Sequence, residues 1–170
     1  MDPTPLQRAL AEAPTRNNAS VSRSELEFFC FRLGGLRLGV PSENVREVTR
    51  PGLLTPLPRM AAFVMGVFGH RGEVLPVLDL LRFLGKGEGR LTLRSRLFIG
   101  VSGTFIAAVL TDAVLGLVRY PSEAILPAPL GGDGSAEHLM GVVQAGSLEA
   151  TTLLNFPKLL QSARQRVVAR

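Results

Sequence analysis

Two runs of alternating apolar residues meet at Gly34-Gly35 and predict a β-hairpin. In residues 29–33 and again in residues 36–40, every second side chain is Phe, Leu or Val. This is the period of a strand, whose successive side chains point to opposite faces of a sheet. The two glycines between the runs supply the positive φ angles that a two-residue hairpin turn requires. A chain that starts in this way is expected to build sheets.

The same construction recurs about 70 residues later, which indicates that one β unit is used twice. Residues 96–101 and 105–110 are typical of two strands around the turn Ser102-Gly103-Thr104. Downstream of the two hairpins, Met65-Gly66-Val67 matches Met140-Gly141-Val142. The sequence therefore predicts an all-β chain with two subdomains that arise from a duplicated unit.

Short helices are expected outside these strands. Leu78-Asp79 and Leu154-Asn155 match between the two units, and each precedes a leucine-rich turn. Asp and Asn are favoured N-cap residues because their side chains accept hydrogen bonds from the first N–H groups of a helix. We therefore predict that Asp79 and Asn155 cap two short helices, the second near the C-terminus. Pro- and Gly-rich loops, at residues 55–60 and 126–135, occupy corresponding positions in the two units.

The composition suits a packed sheet protein of modest size. The chain has 170 residues, of which 46% are hydrophobic, and no Trp, so its core must come from Leu, Val, Ile and Phe. Residues 1–26 lack apolar periodicity, and we predict a flexible N-terminal tail there. They also lack the basic start and apolar stretch of a secretory signal. The longest apolar stretch, residues 61–68, is too short to span a bilayer, so a cytoplasmic location is expected.

The positive charge of the chain is concentrated in one segment. The formal net charge is +5, and residues 82–96 carry five cations against the single carboxylate of Glu88. Those cations are Arg82, Lys86, Arg90, Arg94 and Arg96. We predict a basic loop between the two units whose charge tunes association rather than folding. Its partner would be an acidic protein surface or a nucleic acid.

No residue pattern in the chain is typical of a catalytic or metal site. Cys30, His70 and His138 are too few and too scattered to form a set of metal ligands. Residues 85–90 are glycine-rich but lack the spacing of a phosphate-binding loop, and no G-x-S-x-G element is present. Cys30 is expected to pack within a strand. The sequence therefore argues against an enzyme and predicts no cofactor.

Arg71 is the charged residue that most needs a partner, because it lies within the apolar run of residues 63–81. A buried guanidinium is tolerated only when it is paired. The structural interpretation is an ion pair, for which Glu47 is the best candidate. The functional interpretation is an exposed guanidinium held between Gly69 and Gly72 for a protein partner. We favour the ion pair, and both interpretations can hold together.

The chain resembles the CheW-like domain family over most of its length. The motif F-x-F-x-L-G-G-x-x-L-G-V-P at residues 29–41 is followed by V-R-E-V and then by the family's most specific signature, LPRMAAFVMGVFGHRGEVLPVLDLLRFLG. The match continues through ILPAP and MGVVQAG to the region of Leu160. The resemblance implies two intertwined five-stranded, SH3-like β-barrels with short helices, formed by residues 27–162 and followed by a basic tail at residues 163–170.

The resemblance also implies a function in signal transduction. Proteins with this domain are non-enzymatic adaptors that link the signalling tip of chemoreceptors to the regulatory domain of a CheA-type histidine kinase in receptor arrays. An apolar groove between the barrels takes the helical hairpin of the receptor. Carried over by position, the groove and its surroundings would include Val45, Gly66, Arg71, Gly72, Leu97 and Leu117.

Two departures from the family pattern indicate a divergent or paralogous system, such as one for gliding or another behaviour. His70 stands where the family has an apolar residue, and Ala108 stands where it has a glycine. A nucleic-acid-binding barrel is the alternative function, because small barrels bind strands and basic residues attract phosphates. Base stacking needs exposed aromatic side chains, and Tyr120 is the single tyrosine of the chain.

Overall fold

The computed structural model describes residues 24–129, 134–145 and 149–168, and in these residues the chain forms ten β-strands and two α-helices. The strands are β1 (Glu25–Leu33), β2 (Leu36–Pro41), β3 (Val45–Thr49), β4 (Val64–His70), β5 (Glu73–Leu78), β6 (Arg96–Ser102), β7 (Phe105–Thr111), β8 (Ala113–Pro121), β9 (Leu139–Ala145) and β10 (Glu149–Leu154). The helices are α1 (Leu80–Phe83) and α2 (Phe156–Val168). Short 3₁₀ turns span Ser42–Asn44, Ser122–Ala124 and Ser135–His138. The predicted fold class is confirmed.

The strands form two five-stranded sheets that exchange their hairpins. The first barrel has the strand order β3-β6-β7-β5-β4, and the second barrel has the order β8-β1-β2-β10-β9. Replacing every strand by its counterpart in the other unit converts one order into the other. The β1–β2 hairpin therefore completes the second barrel, the β6–β7 hairpin completes the first, and the two barrels are intertwined.

Both hairpins form where the alternating runs predict them. Strands β1 and β2 pair as far as Leu33 and Leu36, across Gly34 and Gly35 with φ angles of 58° and 79°. Strands β6 and β7 pair along their whole length, around the turn at Gly103. Parallel pairing of β2 with β10 and of β7 with β5 attaches each hairpin to its barrel.

The larger of two hydrophobic clusters joins the barrels to each other. Alternate side chains of β1 point into it, together with buried residues of β4 to β7, α1 and α2. The other face of β1 carries Phe28 and Cys30 into the interior of the second barrel, where they pack with Tyr120, Val143 and Leu153. Strand β1 is thus buried on both faces. Burial raises the pKa of the Cys30 thiol, which keeps this cysteine in its unreactive protonated form.

Each α-helix begins directly after the Asp or Asn that the duplicated pattern singles out. The carboxylate of Asp79 accepts hydrogen bonds from the N–H groups of Leu81 and Arg82. The amide oxygen of Asn155 accepts a hydrogen bond of 3.2 Å from the N–H of Lys158. These bonds satisfy donors that a helix leaves without a partner in its first turn.

Regular structure extends beyond the predicted limits of the domain at both ends. Strand β1 begins at Glu25, inside the predicted flexible tail, because its first residues already pair with β8. The remainder of that tail, residues 1–23, lies outside the described residues. At the other end, α2 continues through the predicted basic tail to Val168. Ala163 is buried there and Val167 packs against the larger cluster, so the helix still contacts the core at residues 163–167.

Candidate functional site

Gly66 was expected to line a groove for a partner, and the structure buries it in the wall of the first barrel. Its φ angle is 149°, and a Cβ atom added to it would lie 2.6 Å from the carbonyl oxygen of Thr55. Thr55 and Val67 exchange two backbone hydrogen bonds, of 2.8 and 2.9 Å, at this point. The missing side chain therefore leaves room for the Pro-rich loop to cross β4. The barrel itself therefore requires a glycine here, and a contact between Gly66 and a partner stays a prediction.

The second unit repeats this close approach at Gly141. A Cβ atom there would lie 2.4 Å from the carbonyl oxygen of Leu126, and Leu126 and Val142 exchange two backbone hydrogen bonds of 2.9 Å. Thr55 and Leu126 each precede a proline, which favours the extended backbone that such a bridge needs. The repeated Met-Gly-Val triplet is therefore a feature of the barrel fold.

Leu97 is likewise removed from any surface that a partner could contact. It has no exposed area, and neither have its neighbours Phe98 and Ile99 on β6. Strand β6 lies between β3 and β7 in the first barrel, and all three side chains belong to the larger hydrophobic cluster. In the chain alone Leu97 is thus a core residue, and its place in a receptor groove stays a prediction.

Val45 lies on β3 and Leu117 lies on β8, and each of these is one of the two outer strands of its sheet. Val45 is half-buried, whereas the side chain of Leu117 is 62% exposed. Three further aliphatic side chains of these strands are exposed and were not predicted: Val48, Val114 and Leu115. The sequence features that could have predicted them are the short apolar stretches V-R-E-V and A-V-L-G-L-V. We call these five residues the outer-strand surface, which the duplication places at equivalent edges of the two barrels.

Arg71 and Gly72 form the two-residue turn between β4 and β5, with φ angles of 48° and 79°. The side chain of Arg71 is 75% exposed, so it is not a buried guanidinium. Its Nη2 atom lies 3.3 Å from Oε2 of Glu47, so the expected pairing takes the form of a surface contact. Such exposed pairs contribute little to stability.

The principal partner of Glu47 is His70, the last residue of β4. Nε2 of His70 contacts Oε1 of Glu47. This hydrogen bond, together with the charge of Arg71, holds the pKa of Glu47 below its usual value. Arg46 also pairs with Glu73, at 2.8 Å. Since β3 and β4 are the two outer strands of the first sheet, these contacts between β3 and the β4–β5 hairpin close the first barrel through side chains.

The predicted basic loop is shorter than expected, because both of its ends are in regular structure. Arg82 lies in α1 and pairs with Glu88, and Arg96 is the first residue of β6. The intervening loop is tied to the helix cap, since Oδ2 of Asp79 accepts a hydrogen bond of 2.7 Å from the N–H of Gly89. Three of the predicted cations remain in the loop proper: Lys86, Arg90 and Arg94.

His138 is the buried polar residue that comes closest to a catalytic arrangement. Its Nε2 atom lies 2.9 Å from Oγ of Ser162 and 3.4 Å from a carboxylate oxygen of Glu137. A hydrolytic triad needs the carboxylate at the other ring nitrogen, so this geometry does not activate the serine. The ring packs edge-on against Phe83, at 5.1 Å between centroids, and burial lowers the pKa of His138. The contacts attach α2 to the rest of the domain.

The described residues lack the features of a metal site, a membrane-spanning helix and a base-stacking surface. Among the described residues, no group of three His, Cys, Asp or Glu side chains could hold a metal ion. No described helix has the length and apolar character needed to cross a bilayer. All nine Phe residues and the single Tyr are described, and each is buried or half-buried. This part of the chain therefore offers no exposed aromatic platform for bases.

Two intertwined barrels whose outer strands carry exposed aliphatic side chains define a protein of the double SH3-like-barrel class. Residues 27–164 match the CheW-like domain, and the chain belongs to that family.

Two similar proteins and one solved structure agree with this assignment. Protein FrzA of Myxococcus xanthus is 69% identical over 159 residues, which cover 93% of this chain and 99% of FrzA. A probable chemotaxis protein CheW of Rhizobium etli is 30% identical over 110 residues, which cover 65% of this chain and 71% of that protein. The crystal structure of the scaffolding protein TtCheW from Thermoanaerobacter tengcongensis has a TM-score of 0.71 at 22% identity, covering 80% of this chain and 88% of that one. These relatives give no support to the nucleic-acid alternative.

Proposed function

We propose that this chain is a non-enzymatic, chemotaxis-type adaptor that couples chemoreceptors to a CheA-type histidine kinase. Membership of the CheW-like family supports the proposal, as do relatives named chemotaxis protein CheW. The structural observation that carries it is the outer-strand surface, because exposed aliphatic side chains on a sheet edge are a common mark of a protein-binding site. The adaptor would act in the cytoplasm and be recruited to receptor arrays.

The receptor side of the proposal rests on the apolar character of the outer-strand surface. The tip of a receptor is a helical hairpin, and an amphipathic helix binds by laying its apolar face into an apolar groove. Burying one fully exposed leucine is worth about 1.5–3 kcal/mol, or roughly a tenfold to hundredfold change in affinity. Leu117 is the most exposed aliphatic side chain of the surface and should contribute most. Arg71 and Gly72, in the exposed β4–β5 turn, would adjoin the groove.

The kinase side requires a separate face, since an adaptor must hold both partners at once. We expect the regulatory domain of the kinase to bind a barrel face away from Leu117. A substitution at Leu117 should therefore affect one partner and spare the other.

Leu117→Asp tests this division, with Leu36→Asp as the matched control. Leu36 is 39% exposed at the β1–β2 turn of the same sheet, so both substitutions place a carboxylate on an exposed leucine position. We expect Leu117→Asp to fold normally by circular dichroism and to weaken binding of a receptor signalling fragment from the same genome at least tenfold. Leu36→Asp should bind it as the wild type does. Titration with the cognate kinase should give unchanged affinity for both variants.

Unchanged receptor binding by Leu117→Asp would remove β8 from the groove. Equal loss of receptor and kinase binding in a folded variant would contradict the separate faces.

The non-enzymatic part of the proposal has its own measurement. The purified protein should neither hydrolyse ATP nor accept or transfer a phosphoryl group when it is incubated with ATP and magnesium. Stoichiometric phosphorylation of the isolated chain would overturn the assignment as an adaptor.

A further inference from the structure

Two adjacent loops of the first barrel present leucine and arginine side chains to solvent. The loop after β3 contributes Arg50 and Leu53, and the loop before β6 contributes Arg90, Leu91, Leu93 and Arg94. Leu53 is 89% exposed and Leu93 is fully exposed. We call these six residues the Leu-Arg patch. It belongs neither to the outer-strand surface nor to the hydrophobic clusters.

A hollow of about 550 Å³ separates the two loops. Residues 50–52 line one side of it, and Leu91, Thr92 and Leu93 line the other. The surface is therefore concave, and its lining includes the side chains of Leu91, Leu93 and Arg50. A hollow of this size accepts one or two side chains of a partner.

The loop that carries Leu93 is held in place by its own hydrogen bonds. Ser95 is fully buried, and its hydroxyl accepts a hydrogen bond of 2.8 Å from the N–H of Thr92. The N–H of Ser95 donates to the carbonyl of Thr92 at 3.1 Å, and the N–H of Arg94 donates to the hydroxyl of Thr92 at 3.2 Å. The exposure of Leu93 is thus imposed by a built turn. A preordered loop loses less conformational entropy when a partner binds.

The charges of the patch are uncompensated within the part of the chain that the structure describes. No carboxylate of the described residues lies within salt-bridge distance of Arg50, Arg90 or Arg94. The nearby Glu88 is already paired with Arg82. Arg50 at the hollow and Arg90 and Arg94 in the loop beside it therefore form a positive field that no carboxylate of the described residues pairs with.

We propose that the Leu-Arg patch docks an acidic, amphipathic segment of a partner protein. Apolar side chains of that segment fill the hollow against Leu91 and Leu93 and cover the exposed Leu53 beside it. Its carboxylates meet the three arginines, whose planar guanidinium groups suit bidentate pairing with carboxylates. This contact would give three exposed arginines of the chain a role in binding.

Other occupants fit the surface less well. A membrane surface favours a convex apolar tip, whereas the patch encloses a hollow. Single-stranded nucleic acid needs exposed aromatic side chains, which the described residues lack. A symmetric contact with a second copy would bring the same arginines together, since a twofold interface joins identical patches.

The test is a titration of the full-length protein with a synthetic peptide. The probe is a fluorescein-labelled peptide of about 16 residues with Leu at positions i, i+3, i+4 and i+7 and Glu at most other positions. A second peptide with Lys in place of every Glu is the charge control. We expect the acidic peptide to bind and the basic one not to bind, with the affinity falling as salt is raised.

Two double variants locate the peptide on the protein. Leu53→Ser with Leu93→Ser should weaken binding at least tenfold. Arg90→Ser with Arg94→Ser should weaken it roughly 3- to 30-fold and reduce its salt dependence. The matched control is Leu117→Asp, which lies on the second barrel and should leave peptide binding unchanged. The same variant lowers receptor affinity if the proposed function is right, so the two proposals fail independently.

If the wild-type protein bound the acidic and basic peptides equally well, the proposal would be overturned. This result does not depend on whether the variants fold. Unchanged peptide affinity in both double variants would overturn it as well. The proposal would also fail if the acidic peptide did not bind and the patch bound another partner instead. That partner could be phosphatidylglycerol vesicles, a single-stranded oligonucleotide or, in sedimentation, a second copy of the chain.

Discussion

Gly66→Ala gives the sharpest test of how the barrel wall is built. The φ angle of 149° costs an alanine about 1–3 kcal/mol in backbone strain. The added Cβ atom would also lie 2.6 Å from the carbonyl oxygen of Thr55, so the Pro-rich loop must retreat. That movement breaks the two hydrogen bonds between Thr55 and Val67, each worth about 0.5–1.5 kcal/mol. We expect the free energy of unfolding to fall by roughly 2–6 kcal/mol.

Substitutions at two other glycines separate the cost of backbone strain from the cost of the close approach. Gly141→Ala meets the carbonyl of Leu126 at 2.4 Å without a positive φ angle, so it should cost about 1–3 kcal/mol. Gly69→Ala lies on the same strand as Gly66 with no atom within 4 Å, so its effect should stay within about 0.5 kcal/mol. Urea unfolding followed by circular dichroism gives all three values. If Gly66→Ala is as stable as Gly69→Ala, the reasoning from the close approach fails.

Three further predictions concern the helix caps, the buried histidine and the basic loop. Asp79→Ala should lower the free energy of unfolding in denaturant by about 2–4 kcal/mol, because it removes a helix cap and the acceptor of a buried N–H. Asn155→Ala should lower it by about 1 kcal/mol, and equal losses would contradict this reasoning. Because the folded state holds the pKa of His138 below 6.5, the unfolded chain binds a proton that the folded chain does not. Thermal stability should therefore fall as the pH drops below 6.5, and His138→Gln should lessen that fall; an unaltered pH profile would refute it. Arg90→Ser with Arg94→Ser should leave the free energy of unfolding within about 0.5 kcal/mol, and a larger loss would place these side chains in the folding core.

The sequence predicted those parts of the fold that depend on local patterns. Alternation around Gly34-Gly35 and around Gly103 predicted two hairpins, because the period of two and the turn glycines are local properties. The recurring Asp79 and Asn155 pointed to two helix starts for the same reason. Which barrel each hairpin completes depends on pairing between distant strands, and the duplication alone does not specify it.

The candidate site was harder to predict because a position along a strand does not tell which faces are covered. Leu97 and Gly66 were assigned to the groove by their position in the family pattern, yet both are buried. Arg71 seemed to need a buried partner because its neighbours are apolar, although Arg-Gly between two strands is also a hairpin turn that exposes the arginine. In α2, the spacing of Leu159, Ala163 and Val167 carried a helical signal that the basic residues obscured.

The exchange of hairpins between the barrels has a consequence for how the chain folds. Arg37 on β2 bonds to Thr151 on β10, which lies 114 residues further along. During synthesis β2 cannot pair with β10 until almost the whole chain has left the ribosome. Until then this edge of the β1–β2 hairpin stays unpaired. Neither half contains all the strands of a barrel, so we expect a single unfolding transition and slow folding dominated by distant contacts. Isolated halves should stay unfolded when alone and regain structure when mixed.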